Sequence, residues 1–310
     1  MSPIRSTIGK SVGKLLGNFR DKDLSLQGFK QSDRIYRSVT GGNIVPADQS
    51  GNGYTYHIFT TSGDFNNIGS PRSVEMLLVA GGGNGNVGGG GAGGVRNITL
   101  TVSAGPTPIV VGQPSPGSAP YPSTSGNGAN STAFGYTSVG GGRGGTSGET
   151  PGTAPAISGG SGGGAGNYGG THGLGNTPPQ PGNYGNPGGV HPPNSETSSG
   201  GGGAGGAGAT SPNNAGGPGQ PFPAYAYPII LPGIPVPMRP TFGPAVGPTG
   251  LYGGGGVGGT GPQNTGASAA PGGGGAEYSP GVMGTGGGAG GAWGSNSARG
   301  GDGIVIIRYT

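Results

Sequence analysis

Apolar runs with a strand-like pattern lie near the two ends of the chain, and bulky apolar residues almost vanish between positions 140 and 220. Val74-Glu75-Met76-Leu77-Leu78-Val79 and Ile304-Val305-Ile306-Ile307-Arg308-Tyr309 are short apolar runs, the first halted by Gly81-Gly82-Gly83. Runs of this length, rich in β-branched residues and bounded by glycine, predict buried strands. Tyr54-Thr55-Tyr56-His57-Ile58-Phe59-Thr60 predicts a third strand. Asn97 to Ser103 predicts a fourth, because Ile98, Leu100 and Val102 alternate with Thr99 and Thr101. Ile109-Val110-Val111 follows after a Gly-Pro turn. A closing strand as apolar as residues 304–309 needs partners from early in the chain. It is expected to complete the sheet of residues 54–111, leaving the middle to loop out.

Residues 1–40 follow a different period. Ile4, Ile8, Val12, Leu15, Leu16 and Phe19 recur every three or four positions and predict a short amphipathic helix. Ser2 or Ser6 is placed to cap it. Gly9, Gly13 and Gly17 interrupt it, each costing up to about 1 kcal/mol relative to alanine, so the helix is expected to order on a partner. This segment holds eight Lys and Arg against three Asp, more than the net +4 of the whole chain. It reads as a basic docking arm that attaches through those six apolar side chains. A presequence reading conflicts with Asp21, Asp23 and Asp33, and a membrane dimer face conflicts with the lysines inside the glycine repeat. Gly9-Lys10-Ser11 has Ile4 where a phosphate loop needs glycine, and no strand precedes it.

Composition changes what can hold the middle together. The 310 residues include 84 Gly and 31 Pro but only 49 Leu, Ile, Val and Phe, too few for a side-chain core of this length. Residues 140–220 contain 31 glycines and, of those four types, only Ile157, Leu174 and Val190. With charged residues at 8%, the chain also lacks the self-repulsion that accompanies disorder. One ordered solution exists for glycine runs. A left-handed helix of three residues per turn points every N–H and C=O outward, and the missing Cβ lets neighbouring helices bond backbone to backbone. Collagen is excluded, since no Gly-X-Y period persists. The expected fold is therefore mainly β, with a polyglycine-II-type helix bundle, the short N-terminal amphipathic helix and little other α-helix. Its expected parts are the docking arm 1–40, a β-sheet base 41–112, a glycine-rich body 113–299 with surface loops, and the closing strand 300–310.

The segments Gly53-Tyr54-Thr55-Tyr56-His57-Ile58-Phe59, Val74 to Gly83, Gly88 to Arg96 and Gly300 to Tyr309 resemble the glycine-rich domain proteins of tailed bacteriophages, especially those of cyanobacteria. The opening Ser6 to Leu16 is similar to virion proteins of the same group. The matching motifs cover about 70 residues at the two ends; the middle agrees in composition alone. The resemblance implies a virion structural protein, often a tail-fibre or receptor-binding one. Tail-fibre tip adhesins of T-even-type phages are similar in displaying loops on packed polyglycine helices. Residues 220–243, rich in proline and aromatics, depart from the general pattern.

Larger side chains between glycine runs must lie at the surface or ends of such a scaffold. Two clusters stand out: Tyr168, His172, Tyr184 and His191; and the apolar stretch containing Phe222, Tyr225 and Tyr227. Aromatic rings among Asn and Pro suit a host surface glycan or an outer-membrane protein, so these seven are the candidate receptor contacts. The competing readings are ordinary turn residues for the first cluster, and a cover for the sheet or a subunit neighbour for the second. Catalysis has little to work with: no Cys, three His and ten scattered carboxylates at no recognisable metal-ligand or triad spacing. No enzyme activity, cofactor or metal is expected. Arg143 and Arg299 alone begin Arg-Gly-Gly triplets, so nucleic-acid binding is not expected, and no apolar run spans a bilayer. The chain reads as soluble, without a leader, and located in the virion, where residues 1–40 contact other virion proteins in a homo-oligomeric or multi-protein assembly. A purely architectural tail, neck or capsid decoration protein is the alternative. A cell-wall or silk-like protein is a third.

Overall fold

The computed structural model describes residues 39–115, 126–147, 155–167, 170–192, 196–260, 267–293 and 298–310. The arm residues Ile4, Ile8, Val12, Leu15, Leu16 and Phe19, with the helix expected there, lie outside these, as does Tyr168. The described chain is mainly β. In chain order the strands are β1 (Val39–Thr40), β2 (Asn43–Val45), β3 (Thr55–Phe59), β4 (Gly63–Asn67), β5 (Arg72–Val79), β6 (Val95–Val102), β7 (Gly105–Ile109), β8 (Ser131–Ala133), β9 (Tyr136–Ser138), β10 (Asn183–Tyr184), β11 (Gln220–Pro221), β12 (Leu251–Tyr252) and β13 (Ile304–Tyr309).

The apolar runs build a six-stranded antiparallel sheet in the order β10-β6-β5-β13-β3-β2. The closing strand β13 is central, with Val305 opposite Leu78 on one side and Phe59 on the other. Successive side chains of a strand face opposite ways, so a strand buried on both faces must be apolar throughout. Ile304 and Ile306 pack on one face, Val305, Ile307 and Tyr309 on the other. That second face is covered by a three-stranded sheet, β1-β4-β7, through Val39, Phe65 and Ile109. The first is covered by residues 220–252, a chain of short helical turns that buries Phe222, Tyr225, Ile230, Ile234, Phe242, Val246 and Tyr252. Phe242 and Val246 lie four apart on the helix Arg239–Val246, which places both against the sheet. Hydroxyl donors fix this cover to the sheet and to itself: Tyr56 to the Ala224 carbonyl at 2.9 Å and Tyr252 to that of Tyr225 at 2.8 Å.

Beyond one end of the sheet the chain continues as glycine runs with no helical or strand pattern. From Gly88 to Gly94 the N–H groups donate in turn to the carbonyls of Gly145, Ser199, Ala289, Gly142, Gly202, Gly286 and Val139. Every third donor returns to the same neighbour: Gly88, Gly91 and Gly94 reach residues 145, 142 and 139. The carbonyls of this segment accept from three further runs, through Ala80 and Gly83, through Ser161 and Gly164, and through Gly256. One run is thus surrounded by six. The same three-residue step recurs where Gly254 and Val257 bond to Gly272 and Gly275, and where Ser199 and Gly202 bond to Ala165 and Gly162. Lateral pairing of this kind satisfies peptide groups that are buried without helix or sheet ladders. It also requires close approach. A Cβ on Gly83 would overlap the carbonyl oxygen of Gly142, and one on Gly91 that of Ser161.

Candidate functional site

The glycine runs give the molecule two distinct ends. Residues 80–94 form a long hairpin between β5 and β6 that leaves the sheet at Ala80 and reverses where Asn86 N–H bonds to the Gly88 carbonyl. Other runs are tied to this reversal. Gly88 donates to Gly145, Gly259 to Val87 and Ala292 to Asn86, while the Ser198 hydroxyl donates to the Val87 carbonyl at 2.6 Å. Thr146, Glu196-Thr197, Thr260 and Trp293, adjacent to those contacts in sequence, therefore mark one end, the tip. The opposite end is the far edge of the base. There Val39 pairs with Asn67, whose amide donates to carbonyls of Ser70, Val102 and Ser103, and Arg72 reaches the Thr310 carbonyl. The chain enters from residues 1–38 at that base end.

The sequence-predicted contact residues fall in three places. His172 and His191 lie on adjoining outer runs, since Gly188 N–H donates to the Gly173 carbonyl. Both are half-buried, and His191 Nε2 lies 2.9 Å from the Thr197 carbonyl oxygen, a geometry in which it donates. Tyr184 sits at the other end of the same run, in β10 beside Val95 on the edge of the sheet. Tyr184 and His191 are seven positions apart in the chain, a reach of at most about 25 Å when extended. Tyr184 is 42% exposed, with its ring edge-on to Phe222 at 5.6 Å.

Phe222 and Tyr225 face the sheet rather than solvent. Tyr225 is fully buried, its ring edge-on to Tyr56 at 6.5 Å, and burial holds its hydroxyl well above the usual phenol range. Tyr227 is half-buried against Phe242. These three belong to the cover of the base. Their apolar and proline-rich sequence suits a segment that packs on a sheet without joining it, because proline withholds the N–H that a ladder needs.

The tip holds residues that sequence reading passed over. Residues 276–280 form a turn packed on the last glycine run: Tyr278 N–H donates to the Gly291 carbonyl at 3.0 Å, and Gly290 N–H to that of Ser279 at 3.0 Å. Tyr278 holds φ +62° and leaves its side chain 55% exposed. Glu277 accepts from Thr260 twice, from the backbone N–H at 2.8 Å and the hydroxyl at 2.7 Å, one bond to each carboxylate oxygen. Trp293, the single tryptophan of the chain, follows Gly291 by two residues and is half-buried. Its rarity was the one available signal; nothing in a glycine tract announces that it ends at the tip.

Among the described residues no three His, Asp or Glu side chains come together as metal ligands, and no helix is long and apolar enough to cross a membrane. No curated protein matches the chain. The family model of the glycine-rich domain matches residues 60–310, which takes in all strands from β4 onward and every glycine run described above. By that match and by the hydrogen-bonded glycine runs it covers, the chain belongs to the glycine-rich domain family.

Proposed function

We propose that this protein is a non-enzymatic structural component of a bacteriophage virion, at the tail fibre or its tip, that displays host-receptor-binding loops on packed polyglycine-II helices. The three-residue return of hydrogen-bond partners and the run enclosed by six others support the helix assignment, since a threefold screw presents its peptide groups in just this order. The observation that carries the display role is polarity: the basic arm joins at the base end, and the glycine hairpin of residues 80–94 reaches its reversal, with the runs tied to it, at the opposite end. A molecule tethered at one end and ordered along its length presents its tip to whatever the particle meets. Residues 1–40 dock to other virion proteins. The receptor is a surface glycan or an outer-membrane protein, contacted by tip residues with His172 and His191, and with Tyr184 on the flank. Rigid loops of this kind bind with little ordering entropy.

Adsorption inhibition tests the display role. Saturating purified protein is expected to block attachment of the phage that carries it. Unchanged attachment would leave the protein an architectural component only, and absence of the chain from purified particles, by mass spectrometry, would remove both roles.

A further inference from the structure

We propose that the tip carries a carbohydrate-binding site in which Trp293 and Tyr278 supply the apolar platform and Glu277 the polar anchor, and that its ligand is a neutral hexose unit of an oligosaccharide. The inference rests on the display role above and gives it a ligand.

The juxtaposition follows from the backbone. Tyr278 bonds to the Gly291 carbonyl, and two residues of extended chain, at most about 7 Å, separate Gly291 from Trp293. An added Cβ on Gly290 would meet Ala276 and Glu277, so the run leading to Trp293 lies directly against the turn that bears the carboxylate. Thr260, which holds that carboxylate, follows Gly259, and Gly259 is bonded to Val87 at the hairpin reversal. Three runs therefore converge on one spot at the tip.

The chemistry is that of sugar recognition. Tyr and Trp combine a broad apolar face with a polar edge, matching a ring whose faces are C–H and whose rim is hydroxyl. A carboxylate offers about four acceptor positions; Thr260 takes two, leaving capacity for sugar hydroxyls in an orientation already fixed. The same negative charge repels a uronate or a sialic acid, which selects neutral sugars. The backbone of Tyr278, bonded through its N–H and held at positive φ, is already fixed, so presenting the ring requires no ordering of the turn.

Because Trp293 is the sole tryptophan, its fluorescence in the full-length protein reports on this spot alone. The probes are maltohexaose and mannohexaose, with hexagalacturonate as the acidic comparison. A saturable change in emission is expected with a neutral probe and a much weaker one with the acidic probe. Tyr278→Gly relaxes the positive φ while removing the ring, so it is expected to fold and to weaken binding by about tenfold or more. Glu277→Gln is expected to weaken neutral binding and narrow the discrimination against hexagalacturonate. No saturable change with either neutral probe, or a titration that Tyr278→Gly leaves unaltered, overturns the site. Blocked adsorption without sugar binding overturns this proposal while sparing the display role; sugar binding without blocked adsorption does the reverse.

Discussion

Gly91 and Ala92 are neighbours in the central run, both buried, yet only one has room for a methyl group. A Cβ on Gly91 would fall on the carbonyls of Ser161 and Gly162, which belong to a run that is itself bonded on other sides and has nowhere to retreat. Gly91→Ala is expected to destabilise by about 3 kcal/mol, the upper end of overpacking effects, whereas Ala92→Gly is expected to lose only about 1 kcal/mol for a methyl and some backbone freedom. Urea denaturation of the two variants measures the difference; equal losses would mean the runs are not in close contact. His57 sets a second limit, in the base. Its Nδ1 lies 2.7 Å from the Gly41 carbonyl oxygen, which can only accept, so Nδ1 carries the proton and Nε2 accepts from the Tyr309 hydroxyl at 3.1 Å. Burial, partly opposed by that Gly41 bond and reinforced by the charge of Arg72, lowers its pKa from 6.5 to about 4. Above pH 6.5 the ring is neutral folded or unfolded, and its contribution to stability is intact. As pH falls from 6.5 towards 4 the unfolded chain takes up a proton that the folded one refuses, and about 3 kcal/mol is lost. His57→Gln does not titrate, so its unfolding free energy is expected to fall less steeply across that range than that of the parent protein.

At the scale of elements, the decisive contrast is between runs that are enclosed and segments that are not. The amides of Gly88 to Gly94 all donate to other runs, while Gly51 to Gly53, in the exposed turn before β3, lie open to water. Hydrogen exchange of the native protein is expected to show residues 88–94 protected to the level of β5 and β13, with Gly51–Gly53 exchanging at once; rapid uptake along 88–94 would mean that lateral bonding does not order the body. What the sequence discloses follows the same division. Strands β3, β5, β6 and β13 are legible because their side chains alternate or cluster, and the central place of β13 follows from its being apolar on both faces. β10 is two residues of the middle segment, and no pattern marks it as the sheet's edge. The cover of residues 220–252 is legible as apolar but not as buried, since a proline-rich stretch of short turns has no period from which to read a facing side. For the glycine runs, the kind of contact can be derived and the partners cannot. Glycine carries no side chain to distinguish one neighbour from another, so choice of partner rests on run lengths and on sparse residues such as Ala92, Val257 and Ala289, all fully buried.

For the molecule as a whole, function depends on which end faces outward. Val39 and Thr310 lie at the base end, and the reversal of the 80–94 hairpin, with the runs tied to it, lies at the other, so an arm that docks through residues 1–38 leaves the tip free. The base holds its core without the arm, because both faces of its sheet are covered by residues from Val39 onward. Deleting residues 1–38 is therefore expected to leave thermal unfolding essentially unchanged and to abolish incorporation into particles. Orientation can be tested separately, because the chain has no cysteine and a single introduced thiol reports its own surroundings. Glu196 is exposed at the tip, two residues before the Ser198 hydroxyl that bonds to Val87. In intact particles Glu196→Cys is expected to react with a membrane-impermeant maleimide, and Ile8→Cys to be protected until the particle is disrupted. The reverse pattern would put the tip inward and the arm outward; host contact would then belong to residues 1–38, and the glycine body would serve as the anchor.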